Sequence, residues 1–169
     1  MNASLAVWNS ADSRDAVETM LACCGARRWA EAMAMLRPIA SPEELFDAAD
    51  REWSKMNEPD WLQAFACHPR IGERKAGHVS ARSAAWSSQE QSSTEAAQRR
   101  VLTELAEGNA KYEERYGFTY IVCATGKSAE EMLAILRRRL ESGRATELRE
   151  AVEQQRQIMQ IRLRKWLTE

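Results

Sequence analysis

Apolar and polar residues follow the period of an α-helix over most of the chain. Apolar positions recur three and four residues apart, which places them along one face of a helix and leaves charged residues on the other. The stretch from Glu73 to Ser88 lacks this period and is rich in Ser, Gly and Ala, so we predict a loop there. The periodic segments predict five helices, over residues 41–57, 61–66, 87–116, 128–143 and 146–166.

Capping signals mark several of these helix ends. Ser41 and Glu44 flank a proline, so an N-cap hydroxyl, a proline in the first turn and a glutamate at the third helical position coincide. Ser128 and Glu131 have the spacing of a second capping box. Gly117 follows the helix over 87–116 and is typical of a residue that ends a helix.

The run from Phe118 to Ala124 is the only strand-like segment of the sequence. A single strand has no partner, and no second β-rich segment is present to supply one. We therefore predict an extended, buried connector whose backbone amides are available to a ligand. The predicted fold is all-α: a single compact multi-helix domain over residues 1–169, with a long C-terminal helix and this one connector.

Bulk composition argues against several kinds of partner. The chain carries 24 Lys+Arg and 25 Asp+Glu residues, a formal net charge of -1, so its charge gives no reason to expect nucleic acid or an anionic membrane. No apolar run reaches the roughly 20 residues of a membrane span, and the N-terminus lacks the basic and apolar pattern of a leader. We expect a cytoplasmic protein whose partner is a small molecule or another protein.

Cysteine and histidine usage argues against a metal site. The four cysteines contain no Cys-x-x-Cys pair, and the adjacent Cys23 and Cys24 are poorly placed for a disulfide, so we interpret all four as reduced thiols, mostly buried. His68 and His78 are the only histidines, and no cluster of ligand residues accompanies them. No metal is expected.

The last predicted helix directs an arginine inward. A stripe roughly 80° wide on an ideal helix contains six of its residues: Leu148, Val152, Gln155, Met159, Arg162 and Trp166. Arg162 therefore points where the core-facing residues point, and an unpaired guanidinium there costs several kcal/mol. It binds an anionic ligand, or it forms a structural ion pair, or its aliphatic stem carries the charge to the surface. The sequence leaves these alternatives open.

Glu90 and His68 also have two interpretations each. Ser87 and Glu90 have capping-box spacing, so the glutamate either caps the following helix or joins Gln91 in a polar cluster at a helix N-terminus that favours an anionic or acceptor-rich ligand. His68 lies where the short helix must end, because a residue before a proline, here Pro69, is displaced from the α region. It is either a packed side chain or an acid–base group held outside regular structure.

A basic run of Arg137, Arg138 and Arg139 lies on the helix over 128–143. An anion site is one interpretation. The pattern favours a solvated helix face.

Three motifs occur in a specific order: His-Pro-Arg-Ile-Gly over 68–72, Ser-Ser-Gln-Glu-Gln over 87–91, and Ile-Arg-Leu over 161–163. Shorter matching pieces include Cys-Cys-Gly over 23–25 and Tyr-Ile-Val-Cys-Ala over 120–124. With these motifs the sequence resembles the 2-oxo-4-hydroxy-4-carboxy-5-ureidoimidazoline (OHCU) decarboxylases of urate breakdown. The likeness covers nearly the whole chain.

The resemblance implies an all-α fold, usually a homodimer, with no cofactor and no metal. It implies that His68 is the catalytic acid or base and that Glu90 and Arg162 complete the polar site. The implied substrate-binding residues are Pro69, Ser87, Ser88, Gln89, Gln91 and the backbone of Tyr120, Ile121, Val122, Cys123 and Ala124.

The implied reaction converts OHCU to (S)-allantoin with proton delivery to one face. Such a substrate carries its own electron sink, a ring C=N bond, which is why no cofactor is expected. An alternative from another class is a non-catalytic helical interaction module, in which Arg162 and Glu90 serve only as an ion pair and a cap.

Overall fold

The computed structural model describes residues 2–71 and 99–169. Within these ranges the chain forms eight α-helices and no β-strand: α1 Ala3–Ser10, α2 Ser13–Cys23, α3 Arg27–Met35, α4 Pro42–Trp53, α5 Glu58–Ala66, α6 Arg99–Tyr116, α7 Ala129–Arg139 and α8 Arg144–Trp166. The predicted all-α class and the long C-terminal helix are confirmed. The predicted loop from Glu73 to Ser88 and the predicted helix start at Ser87 lie outside the described residues.

The first three helices are not among those predicted from the sequence. Two of them begin at side-chain caps, because Asn2 accepts the amide of Leu5 at 3.0 Å and Asp12 accepts that of Asp15 at 2.8 Å. The start of α3 has no side-chain cap. The α1 sequence is apolar around most of its circumference, so its period is weak. For α1, packing in the folded chain therefore contributes more to stability than its local pattern does.

The helices α4 and α5 differ from prediction at their ends. The hydroxyl of Ser41 accepts the amide of Glu44 at 3.2 Å, and a proline occupies the first turn, as predicted. However, α4 ends at Trp53, before the predicted boundary. The next helix starts earlier than predicted, at Glu58, because the carbonyl of Asn57 already accepts a helical amide.

The described residues form two compact units. One unit comprises Met1–Ala64 and Arg156–Glu169, and the other comprises Phe65–Gln155.

Indole rings make up much of the core of the first unit. The rings of Trp8 and Trp166 meet edge to face with centroids 6.0 Å apart. The indole N–H of Trp8 donates to the carbonyl of Ala16 at 2.9 Å, and that of Trp29 donates to Ala49 at 3.1 Å. Trp8 and Trp29 are thus buried with their indole N–H groups satisfied.

Four aromatic rings from α6 and the segment after it form part of the core of the second unit. The ring centroid of Tyr112 lies 4.6 Å from that of Tyr116, 5.7 Å from Phe118 and 5.3 Å from Tyr120. Phe65, in the last turn of α5, packs against Phe118 at 5.6 Å. These contacts hold the non-helical segment against α6 and attach the end of α5 to it.

The last two helices are separated by a short turn. The hydroxyl of Ser128 accepts the amide of Glu131 at 3.1 Å while the glutamate accepts the amide of Ser128 at 2.7 Å, so the predicted capping box is present. The helix ends at Arg139 and not at residue 143, because Gly143 starts the next helix by accepting the amide of Glu147 at 3.0 Å. None of the described helices has the length and apolar character of a membrane span.

Candidate active site

Residues 120–124, called the connector below, form a buried non-helical segment. Each of its five residues is at most 8% exposed. Gly117 precedes it at a φ of 80° and Gly126 follows it at a φ of 76°, a region of backbone conformation that favours glycine. The prediction of a buried connector is confirmed, and the two glycines allow the chain to turn into and out of it.

Side chains engage part of the connector backbone. The amide of Cys123 donates to Gln154 Oε1 at 2.7 Å. The carbonyl of Ile121 accepts from Arg139 Nη1 at 2.5 Å, and the carbonyl of Cys123 accepts from Lys127 Nζ at 2.8 Å. The prediction that the connector amides are available to a ligand is therefore wrong at Cys123, whose amide is held by a glutamine.

Four other connector amides remain unengaged. Within the described ranges, the N–H groups of Tyr120, Ile121, Val122 and Ala124 donate to no protein acceptor. Buried amides without partners are uncommon in folded proteins, because losing hydration without a replacement bond is costly. The connector thus presents backbone donors suited to an acceptor-rich ligand.

His68 lies just beyond the end of α5, as its place before Pro69 predicts. Its amide still donates to the carbonyl of Phe65 at 3.1 Å, but the residue itself is outside the helix. The side chain is 8% exposed, and its Nε2 lies 2.7 Å from Gln155 Oε1. Because an amide oxygen only accepts, Nε2 carries a hydrogen in this arrangement.

Two consecutive residues of α8 connect these parts. Gln154 holds the connector at Cys123, and Gln155 holds the ring of His68. Gln155 is fully buried. The sequence predicts that Gln155 lies on the inward stripe of the last helix, without indicating a role for it. The signal was a second polar residue, besides Arg162, on a stripe of otherwise core-type residues.

The segment after His68 is fixed by an ion pair. Arg70 donates through Nε to Glu113 Oε1 at 2.7 Å and through Nη2 to Oε2 at 2.6 Å, the paired geometry in which guanidinium and carboxylate bind best. Pro69, between the histidine and this arginine, is half-buried. The ion pair joins the segment to α6 and so limits the movement of His68.

Arg162 is 2% exposed, which confirms that it points inward from the last helix. This burial excludes the interpretation in which its charged end reaches the surface. Its burial is compatible with both other interpretations, a structural ion pair and a ligand contact.

The basic run on α7 is not uniformly solvated. Arg137 and Arg138 are exposed, as the pattern indicates, but Arg139 is 2% exposed. The interpretation of a solvated face is therefore wrong for Arg139. Its spacing from Met132 and Leu136, seven and three residues earlier, matches the core-facing period of the helix.

Several predicted site residues lie outside the described residues. They are Ser87, Ser88, Gln89, Glu90 and Gln91, together with the glycine of the His-Pro-Arg-Ile-Gly motif and His78.

The thiol prediction concerns Cys23, Cys24, Cys67 and Cys123. All four cysteines fall in the described ranges, and none is in a disulfide. Among the residues that the structure describes, no group of three His, Cys, Asp or Glu side chains is arranged to hold a metal ion.

A buried histidine and a buried backbone with unengaged donors, joined through neighbouring residues of one helix, are features of an acid–base enzyme site. The comparison with protein families assigns the chain more narrowly. It belongs to the OHCU decarboxylase family, whose model matches residues 9–164.

Individual relatives agree with this assignment. The uric acid degradation bifunctional protein TTL of Arabidopsis thaliana is 36% identical over 144 residues, which cover 85% of this chain and 44% of that protein. The chain thus spans less than half the length of the Arabidopsis protein. The 2-oxo-4-hydroxy-4-carboxy-5-ureidoimidazoline decarboxylase of Haloferax volcanii is 29% identical over 75% of this chain and 73% of its own length.

Among solved structures, the chain is similar to an OHCU decarboxylase whose crystal structure was determined in the presence of (S)-allantoin. The TM-score is 0.78 with 31% sequence identity, over 90% of this chain and 99% of that one.

Proposed function

We propose that this chain decarboxylates OHCU to (S)-allantoin without a cofactor. The observation that carries the proposal is the family match over residues 9–164, supported by the structural similarity to an OHCU decarboxylase studied with (S)-allantoin. The match favours an enzyme over the non-catalytic helical module that the sequence alone leaves open.

The chemistry follows from the substrate. One ring carbon bears a carboxylate and a hydroxyl, and its neighbour bears the ureido group and a C=N bond. When the C–COO⁻ bond breaks, its electron pair forms a C=C bond between these two carbons and the C=N pair moves to nitrogen, which takes up a proton. The resulting enol then loses its hydroxyl proton while the ureido carbon gains one, which gives allantoin and carbon dioxide. Delivery of that last proton to one face sets the configuration.

We assign the proton transfers to His68. The residue is buried, and its Nε2 is already engaged by Gln155, so the ring is held in one orientation. A histidine can donate and accept protons near neutral pH, which suits a reaction that moves a proton from oxygen to carbon.

We assign substrate binding to the connector and to charged side chains. The amides of Ile121, Val122 and Ala124 supply donors that need no reorganisation when charge builds up on the substrate. Arg162, an inward cation, is proposed to anchor ring or ureido carbonyls or the carboxylate. Glu90 is proposed, on the resemblance alone, to tune the histidine or to hold substrate N–H groups.

The remaining substrate-binding proposals also rest on the resemblance. They concern Pro69, Ser87, Ser88, Gln89 and Gln91.

Assembly, domain and compartment are further parts of the proposal. The family match supports one decarboxylase domain over residues 1–169, because it covers nearly all of them. A homodimer is proposed from the resemblance, and light scattering on the purified protein should give twice the mass of one chain. A cytoplasmic location is supported by four cysteines without a disulfide, as is usual in reducing compartments.

The assay generates the unstable substrate in situ from urate and follows its loss by ultraviolet absorbance and circular dichroism. The wild-type protein should accelerate the decay and yield a single enantiomer of allantoin. In addition, (S)-allantoin should raise the melting temperature, because a ligand of the folded state stabilises it. An unchanged decay rate with racemic product would contradict the proposed function.

Two histidine variants test the assignment of His68. His68→Ala should lower kcat by about 100-fold or more, the usual contribution of a general acid or base. His78→Ala, at the only other histidine of the sequence, should keep wild-type activity. A folded His68→Ala protein with full activity would remove His68 from the mechanism.

A further inference from the structure

A buried network of three side chains contacts the connector. Arg139 and Glu147 are each 2% exposed and are joined by a bond of 2.8 Å from Nε to Oε2. The hydroxyl of Tyr112 donates to the same carboxylate at 2.7 Å and accepts from Arg139 Nη2 at 3.2 Å. The rings of Tyr112 and Tyr120 lie under the guanidinium, 5.6 and 5.0 Å from its carbon.

The network keeps Arg139 charged. Burial opposes the charge of Arg139, but the neighbouring Tyr112 and Glu147 outweigh it and hold the pKa of the guanidinium above its ordinary value. One of its N–H groups leaves the network and donates to the carbonyl of Ile121 at 2.5 Å. A fixed cation is therefore directed at the connector backbone.

Stability alone does not account for such a network. Removing two charges from water is costly, and replacing a buried ion pair by apolar side chains of similar volume is often neutral or stabilising. Removing only one partner is destabilising, because the other charge is left buried. What distinguishes Arg139 is therefore its hydrogen bond to the backbone carbonyl of Ile121.

The held carbonyl determines the direction of the next amide. A trans peptide unit is planar, with its C=O and N–H pointing in opposite directions. Arg139 on the carbonyl of Ile121 therefore orients the N–H of Val122. By the same geometry, Lys127 on the carbonyl of Cys123 orients the N–H of Ala124.

These two oriented amides are among those that donate to no protein acceptor in the described ranges. In an extended backbone, N–H groups two residues apart point to the same side, about 7 Å from each other. Arg139 and Lys127 thus orient two N–H groups, those of Val122 and Ala124, that point to the same side of the connector. Gln154 holds the N–H of Cys123, the residue between them.

We propose that Arg139 and Lys127 are positioning residues, which hold the carbonyls of Ile121 and Cys123 and so aim the amides of Val122 and Ala124 at acceptor oxygens of the substrate. The inference rests on the proposed decarboxylase function. Neither side chain is a catalytic residue in this scheme, because each acts through the backbone.

Two variants test the proposal. In the triple variant Arg139→Met/Glu147→Met/Tyr112→Phe, the whole network becomes apolar, so no member is left with an unpaired charge or hydroxyl. Lys127→Met removes the second cation from a half-buried position and does not depend on repacking the core. Lys127→Arg keeps a charged donor and serves as the conservative variant.

Tyr116→Phe is the matched control. It lies one turn from Tyr112 on α6 and also loses a buried hydroxyl, which donates to the carbonyls of Arg139 and Ser142 at 2.8 and 2.7 Å. It has no hydrogen bond to the connector. Its effect measures what the loss of a buried tyrosine hydroxyl does to this unit by stability alone.

The expected result separates positioning from stability. KM for in situ substrate should rise about tenfold in the triple variant and in Lys127→Met, the effect of one lost hydrogen bond to a ligand. The fraction of the S enantiomer should fall, because a loosely bound ring presents both faces. Lys127→Arg should have a KM close to that of the wild type. Tyr116→Phe should keep the wild-type KM even if its melting temperature falls.

The two failures are distinguishable. A wild-type protein without activity overturns the proposed function, and this inference with it. An active wild type whose folded variants keep its KM and product configuration overturns the positioning role alone. If the triple variant does not fold, Lys127→Met decides the matter by the same measurements.

Discussion

At the scale of single residues, His68 is packed, as one interpretation of the sequence predicts, and it lies outside regular structure, where its acid–base role is proposed. It is packed, at 8% exposure, and it is bonded through Nε2 to Gln155 on a helix 87 positions away in sequence. The helix break at Pro69 was enough to predict where the backbone of His68 lies. The partner was not predictable, because nothing local connects residues so far apart.

Gln155→Leu tests whether the orientation of the His68 ring matters for catalysis, because His68 itself is retained. The variant keeps a buried side chain of similar size but removes the acceptor for Nε2–H, so the ring loses one of the contacts that orient it. We expect kcat to fall roughly 10- to 100-fold, part of what general acid–base catalysis contributes. Steady-state kinetics with in situ substrate measure this.

Gln160→Leu controls for the loss of a buried amide from the same helix. Gln160 donates to the carbonyl of Phe46 at 3.0 Å and to Asp50 at 2.8 Å in the first unit, and its own Oε1 has no partner in the described structure. The kcat of Gln160→Leu should stay near that of the wild type. Equal losses of kcat in both leucine variants would show that Gln155 acts through stability.

Two arginines show where residue patterns succeed and fail. The helical stripe of α8 correctly predicts that Arg162 is buried. The same test applied to α7 would have found Arg139, which follows Leu136 by one turn. The neighbouring Arg137 and Arg138 concealed it, since a run of like charges suggests a solvated face.

At the scale of elements, the connector is the part whose form was predictable and whose contacts were not. A lone strand-like run without a partner predicts a buried segment outside regular structure. Which amides are engaged depends on side chains from α7 and α8, through Arg139 and Gln154, and on Lys127 in the following turn. Those contacts form only when the helices pack, so no local pattern reveals them.

The glycine after the connector should be sensitive to substitution. Gly126 has a φ of 76° with nothing within 4 Å of an added Cβ, so alanine would cause backbone strain without a clash. We expect Gly126→Ala to lower the free energy of unfolding by about 1–2 kcal/mol, the cost of a left-handed conformation. Urea denaturation monitored by circular dichroism measures the change.

Gly143→Ala is the matched substitution. That glycine also has open space around it, but its φ is not in the left-handed region. The free energy of unfolding should change by less than about 0.5 kcal/mol or rise slightly, because alanine restricts the unfolded chain. A Gly143→Ala loss as large as that of Gly126→Ala would rule out strain as the cause.

At the scale of the whole molecule, burial of the tyrosines ties stability to alkaline pH. All three tyrosines of the chain lie in the second unit and are at most 3% exposed. Burial raises the pKa of Tyr112, Tyr116 and Tyr120 above the ordinary value near 10. The folded protein therefore keeps phenolic protons that the unfolded chain releases.

Stability should fall as the pH rises above about 10. Below that value both states are protonated and the tyrosine contribution is fully present. Above it, the unfolded state binds fewer protons, so each buried tyrosine lowers the free energy of unfolding by about 1.4 kcal/mol per pH unit until its folded pKa is reached. Denaturation curves between pH 8 and 11 measure this slope.

Tyr120→Phe isolates one of these groups. Its hydroxyl makes a single long bond of 3.3 Å to the carbonyl of Met132, so the variant should stay folded. The slope above pH 10 should decrease by about 1.4 kcal/mol per pH unit, one proton equivalent. An unchanged slope would mean that Tyr120 ionises at its ordinary pKa in the folded protein.

The unengaged N–H groups of the connector belong to the main chain, so their presence depends little on which side chains the connector carries. A main-chain donor is supplied by every amino acid except proline, so substitutions at Val122 or Ala124 that fit the available space leave the donor in place. Under the proposed function, selection on these donors acts on the residues that fix the backbone, so two proteins with different side chains along this segment can offer a ligand the same row of N–H groups.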